Sequence, residues 1–359
     1  MKKITLGVNA PPLKVFALSS LFFIIMSGCQ KHEVPPALLK GYHQTNLVAD
    51  VEGFGAARID PALVNPWGIS FSATSPLWIS AAGTSVSVVY DKDGLTRIPP
   101  VSIQNGNGSP TGQVFNGTTG FVIPGTGKPA RFIFAGEDGT ITAWNGGTAA
   151  ILVADRSQQG AVYKGLAMAN DGKANFLYAT NFKKGKIDVF DSTFTYVTDK
   201  PFRDNSIPGD YGPFNIRLIN DNLYVTYAKH QAPDNVDDKS GHGNGYVNVF
   251  NTKGQFIKRF ASRGALNSPW GIVPATPGSS PVSDAIIIGN FGDGLINIYT
   301  NNGDFIGSLK DDWGHNIVID GLWALENNIY TADPEHLYFT AGPAGETHGL
   351  FGYLSKDIK

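Results

Sequence analysis

Two acidic, histidine-bearing stretches hold most of the side chains in this sequence that could move a proton or bind an ion. Residues 229–244 contribute His230, Asp234, Asp237, Asp238 and His242, and residues 333–349 contribute Asp333, Glu335, His336, Glu346 and His348. Imidazole titrates near neutrality, and a carboxylate beside it can serve as acid, base or ligand. His242 stands between Ser240-Gly241 and Gly243-Asn244, a context that suits a lid better than a fixed base. His348 abuts a strand, so it is expected either to close its loop onto Asp333 or Glu346 or to join a site. Glu137, Asn181, Asn290 and Asp333 form a second group, each placed directly after an apolar run. Converging carboxylate and amide oxygens can hold calcium at about 2.3–2.6 Å, and Asn181, Asn290 and Asp333 are the candidate ligands. The competing reading is that Asn and Asp sit there because they suit turns and bond nearby backbone amides. Asp234-x-x-Asp237-Asp238 lacks the alternation and the distal glutamate of an EF-hand loop.

Such groups can meet only if repeated elements carry them to one rim. Asn65-Pro66-Trp67-Gly68-Ile69 recurs as Ser268-Pro269-Trp270-Gly271-Ile272, with weaker copies around Gly112, Gly165 and Gly321 and a variant at Tyr211-Gly212-Pro213-Phe214. Behind each copy come two strand-like segments, the second alternating apolar and polar residues, and six rounds are visible. A unit of about 40–50 residues has room for four strands and their turns, the size of a propeller blade. The sequence therefore predicts an all-β, six-bladed β-propeller. Its sixth round lacks an outer strand after Leu354, and residues 45–51 are expected to supply it, closing the ring. Second-to-third-strand loops share one face of the disc. With residues 328–331 read as the second strand of the sixth blade, both long acidic stretches would overhang that face. Loops of this length are uncommon unless they bind something or are disordered.

Cys29 is the single cysteine among 359 residues. It follows an apolar run of about a dozen residues closed by Ser27-Gly28, with Lys2, Lys3 and Lys14 upstream, the pattern of a bacterial lipoprotein signal. The expected organisation is a signal peptide over 1–28, a lipidated cysteine and tether over 29–44, and one propeller over 45–359. The protein would then sit at the bacterial cell envelope, with an outer membrane favoured by Gln30 following the cysteine. The formal charge is −2, and no basic stripe runs through the sequence, which excludes a nucleic-acid partner whose phosphates would need neutralising. There is no Gly-x-Ser-x-Gly elbow, no His-Glu-x-x-His and no phosphate-cradling Gly-x-x-x-x-Gly-Lys.

The Pro-x-Gly-Ile, Leu-Tyr-Val and Gly-x-Ile-x-Val pattern resembles NHL-repeat propellers. The whole chain from about residue 45 is similar to a family of secreted bacterial propellers. That resemblance implies a fold and no particular activity. Two functions are compatible with it. One is a binding or scaffold module for a protein, peptide or glycan. The other is a calcium-dependent, lactonase-like hydrolase with its metal at the channel mouth, where it would polarise a carbonyl.

Overall fold

The structure is a computed structural model that describes residues 1–4, 7, 36–103, 108–276, 279–280 and 282–356. Cys29 and the greater part of the expected signal and tether lie outside these residues. Met1–Glu33 forms a unit separate from Val34–Lys359, and residues 1–4 and 7 carry no regular structure.

Residues 42–356 make the six-bladed propeller, with each inner strand packed against the next around the ring. Blade 1 runs Pro66–Ser70, Leu77–Ala81, Val86–Tyr90 and Thr96–Ser102 from the channel outward. Blades 2 to 5 repeat this meander from inner strands at Pro110–Phe115, Tyr163–Asn170, Tyr211–Ile219 and Pro269–Pro274. Blade 6 takes Leu322–Glu326, Leu337–Ala341 and Leu350–Lys356 from the end of the chain, and Tyr42–Ala49 from its beginning as outer strand. Tyr42 pairs with Lys356 and Ala49 with Leu350, so the closing strand starts three residues before Thr45. The short strand Arg58–Ile59 adds a parallel edge outside it.

The middle strands are buried on both faces because each blade is sandwiched between two others, which is why runs such as Ile286, Ile287 and Ile288 need no polar side. The repeat glycine has a steric cause. A Cβ at Gly112 would lie 2.3 Å from the backbone nitrogen of Leu166, and one at Gly68 would lie 2.8 Å from the Thr111 carbonyl. Inner strands of adjacent blades thus approach closer than any side chain allows.

Two registers differ from the sequence reading. Leu322 pairs with Ala341, as Pro66 does with Ala81, so Leu322-Trp323-Ala324 aligns with Pro66-Trp67-Gly68. Gly321 therefore matches Asn65 and Ser268, and all three have positive φ. In the same blade the second strand is Leu337–Ala341, and residues 328–331 belong to the loop before it. Leu337, Tyr338, Phe339 and Ala341 bury four apolar side chains, whereas Asn328 adopts φ 55° and Pro334 cannot donate a ladder hydrogen bond. The second long stretch is thereby divided. Residues 327–336 join first strand to second on one face, and residues 342–349 join second to third on the other.

Aromatic side chains from the inner strands plug the channel. Trp67 stacks on Trp323 with ring centroids 3.4 Å apart and meets Trp270 edge-on at 5.8 Å. Phe214 of blade 4 and Phe291, directly after the second strand of blade 5, also pack onto Trp323.

Candidate functional site

The first residue of each inner strand pairs with the last residue of its neighbour: Pro110 with Gly136, Tyr163 with Asn181, Tyr211 with Lys229, Pro269 with Asn290. The next residue in each blade is Glu137, Phe182, His230 or Phe291. Side chains alternate sides along a strand, so this second set turns to the plug and the asparagines turn away from it. Phe182 lies 5.2 Å from Phe214, and Phe291 stacks 3.9 Å from Trp323. Asn181 donates to Asp188 at 2.8 Å, and Asn290 donates to the Ala265 carbonyl at 2.8 Å and to Asp293 at 3.0 Å. Both are buried in the blade walls. Asp333 lies in the first-to-second-strand loop of blade 6, on the opposite face, where its carboxylate accepts from the Glu335 amide. The structure does not bring Asn181, Asn290 and Asp333 to a common point, and no three His, Cys, Asp or Glu side chains among the described residues are grouped to hold a metal ion.

What converges at the loop-rich mouth is centred on Lys164. It occupies the repeat position held by Trp67, Trp270 and Trp323, and its side chain is 3% exposed. The ammonium is paired with Glu137 of blade 2, lies 3.5 Å from Asp237 of the blade 4 loop and faces the Trp67 ring at 5.1 Å. Burial alone would depress this ammonium, but Glu137, Asp237 and Glu346 outweigh it and hold it above the ordinary lysine range. Ser109 donates a further hydrogen bond to Glu137 at 3.3 Å.

Glu346 reaches the mouth from blade 6. Asn65 donates to its carboxyl at 2.8 Å, and the Asn65 side-chain oxygen accepts from the Trp323 indole at 2.9 Å. Ala344, Gly345 and Glu346 all have positive φ, as does Asn65. Such backbone is strained for residues with a Cβ, and it persists here where two side chains are aimed at one another. Burial pushes the Glu346 carboxyl up, with Glu137 and Asp238 adding to the effect against Asn65 and Lys164. Burial likewise raises Asp238. The result is one ammonium among four carboxyls drawn from blades 2, 4 and 6, with two of the carboxyls biased toward their neutral form.

The histidines serve other ends. His230 donates through Nε2 to the Phe182 carbonyl at 2.8 Å and bridges by its backbone to Asp238, pinning the base of the blade 4 loop. His242 is exposed further along that loop. His348 bonds Asp50 at 2.9 Å, and Asp50 also accepts from the Gly349 amide, so this pair ties the closing strand to blade 6. Neither Asp333 nor Glu346 is its partner. Lys164 escaped the sequence reading, although a signal was present. A cation standing where three other blades place tryptophan breaks the repeat without a packing reason.

Comparison with known proteins places the chain. No protein-family model matches it. Uncharacterized protein L690 of Acanthamoeba polyphaga mimivirus is 37% identical over 317 residues, covering 84% of this chain and 83% of its own. Uncharacterized protein R648 of the same virus is 35% identical over 316 residues, covering 84% and 77%. The chain belongs to the family of these viral proteins. They are not the secreted bacterial proteins to which the sequence resemblance pointed. Among solved structures, a streptogramin B lyase superposes with a TM-score of 0.51 at 13% identity over 88% of this chain and 97% of the lyase. A putative gluconolactonase superposes with a TM-score of 0.52 at 14% identity over 83% and 90%. At these identities the likeness is one of fold.

Proposed function

We propose that this protein is an extracytoplasmic binding propeller, lipid-anchored through Cys29, that docks a protein or peptide presenting a basic group at the mouth around Lys164. One observation carries the reading: Glu137, Asp237, Asp238 and Glu346 surround a single ammonium, so the mouth keeps an excess of carboxylates that can pair with an incoming amine or guanidinium. A glycan offers no such charge, and a phosphate backbone would be repelled. The NHL-like repeat and the envelope location belong to the same proposal. Its anchor rests on residues 1–29.

Peptide display on immobilised residues 30–359 tests the ligand. Enrichment of Lys- or Arg-containing peptides whose binding falls in Glu346→Gln and Asp237→Asn supports the reading. Enrichment of acidic peptides, or none over a blank surface, refutes it. Membrane fractionation of Cys29→Ser tests the anchor separately.

A lactonase-like hydrolase is the second reading. Glu346 and Asp238 favour it, because carboxyls held up by burial can deliver a proton to a leaving group. Calcium at Asn181, Asn290 and Asp333 does not fit, since those oxygens face apart. Hydrolysis of a lactone that Glu346→Gln abolishes would establish this activity over pure binding.

A further inference from the structure

The second ends of the inner strands enclose a cup on the face opposite Lys164. Its volume is about 270 Å³, just below the range of drug-sized ligand pockets. Phe71, Phe115, Leu166 and Met168 supply apolar walls from blades 1 to 3. Arg217 and Glu326 close the remaining side with a bidentate pair at 2.6 and 2.7 Å between blades 4 and 6. A narrower space of about 40 Å³ continues inward along Gln113, Asn215 and Trp270 to the aromatic plug.

Two polar side chains in this wall are left over by the fold. Gln113 is 6% exposed, and its amide nitrogen donates to the Gly68 and Trp78 carbonyls, which fixes the orientation of the group. Its Oε1 meets no donor among the described residues. Ser70 is 8% exposed, and its hydroxyl has no partner among the described residues either. Buried polar atoms are normally satisfied, and an acceptor and a hydroxyl left over in one concave wall are complementary to a ligand bearing an N–H or O–H. At the rim Tyr330 is 71% exposed and stands edge-on to Phe71 at 6.5 Å, an aromatic pair placed to cover what enters.

We infer that this cup is a second binding site, independent of the mouth at Lys164, for a small, uncharged, largely aromatic molecule carrying one hydrogen-bond donor. The ligand is uncharged because Arg217 and Glu326 neutralise one another and offer no spare counter-ion. It is aromatic because flat faces match Phe71, Phe115 and the Met168 thioether. It carries a donor because Gln113 Oε1 requires one.

Indole and 1-methylindole separate these requirements, since they share a body and differ in the N–H. Saturation-transfer NMR on the full chain should show indole binding and 1-methylindole binding about tenfold more weakly, the cost of leaving one buried acceptor unpaired. Met168→Trp, which fills the cup from a partly buried position, should abolish the signal while circular dichroism shows the fold intact. Ser70→Ala should weaken it, and Glu346→Gln on the other face should leave it unchanged. No transfer to indole from the folded protein, equal affinity for the two probes, or undiminished binding by Met168→Trp would each overturn the assignment.

Discussion

Lys164 is the residue whose removal should be felt most sharply. Its ammonium is buried against Glu137 and near Asp237, and taking one partner from a buried ion pair leaves the other charge unpaired. Lys164→Met should therefore lower stability by about 3–5 kcal/mol at neutral pH, read from urea unfolding. The loss should shrink in acid, where the orphaned carboxyls take up protons. Glu346 gives the opposite test. Its carboxyl is held above the ordinary value of 4.5, so the folded state binds the proton more tightly than the unfolded one. A raised acid contributes fully at low pH, and that contribution is lost as pH rises from the unfolded value through the folded one. Glu346→Gln cannot ionise. The melting temperature of the variant minus that of the wild type should thus grow more positive above about pH 4.5, and a flat difference would show that Glu346 ionises normally.

At the scale of the strand, the ring is limited by how closely inner strands approach. A Cβ on Gly112 would strike Leu166 and Gly165 of blade 3, both through backbone atoms that cannot step aside. Gly112→Ala should destabilise by about 1–3 kcal/mol, measurable as a lower urea midpoint at an unchanged slope. The same fact explains what was legible in the sequence. Pro-x-Gly-Ile recurs because each blade must meet the same neighbour in the same way, so the blade count and the closing strand could be read from spacing. The sixth blade was less legible, because residues 328–331 and 337–341 both look like strands, and the positive φ of Asn328 together with the run of buried side chains from Leu337 to Ala341 decides between them. Ile329 is buried as a loop side chain, and Leu337, Phe339 and Ala341 form the strand. That shift of one element carried Asp333 to the far face. Asn181 and Asn290 were misplaced by a single step of alternation, which exchanges the channel for the blade wall.

At the scale of the whole propeller, residues 42–356 form a ring whose channel is divided by the tryptophan cluster into two unlike mouths. Trp323 holds that division together. It stacks on Trp67 and Phe291, packs against Trp270 and Phe214, and donates its indole N–H to the Asn65 side chain that in turn bonds Glu346. Trp323→Ala should cost about 3–5 kcal/mol, the range for deleting a large buried aromatic ring. The two mouths should respond unequally. Without the indole N–H, Asn65 loses the contact that orients it toward Glu346, so binding of a basic peptide should weaken in Trp323→Phe, which keeps an aromatic ring but has no N–H to donate. The cup below the plug is bounded by Gln113, Ser70 and Met168, none of which bonds Trp323, so indole affinity there should stay close to wild type in Trp323→Phe. Titrating both probes against that conservative variant measures the coupling directly. An equal loss at both mouths would show one continuous, deformable channel, whereas loss confined to the Lys164 side would show that the tryptophan stack insulates one from the other.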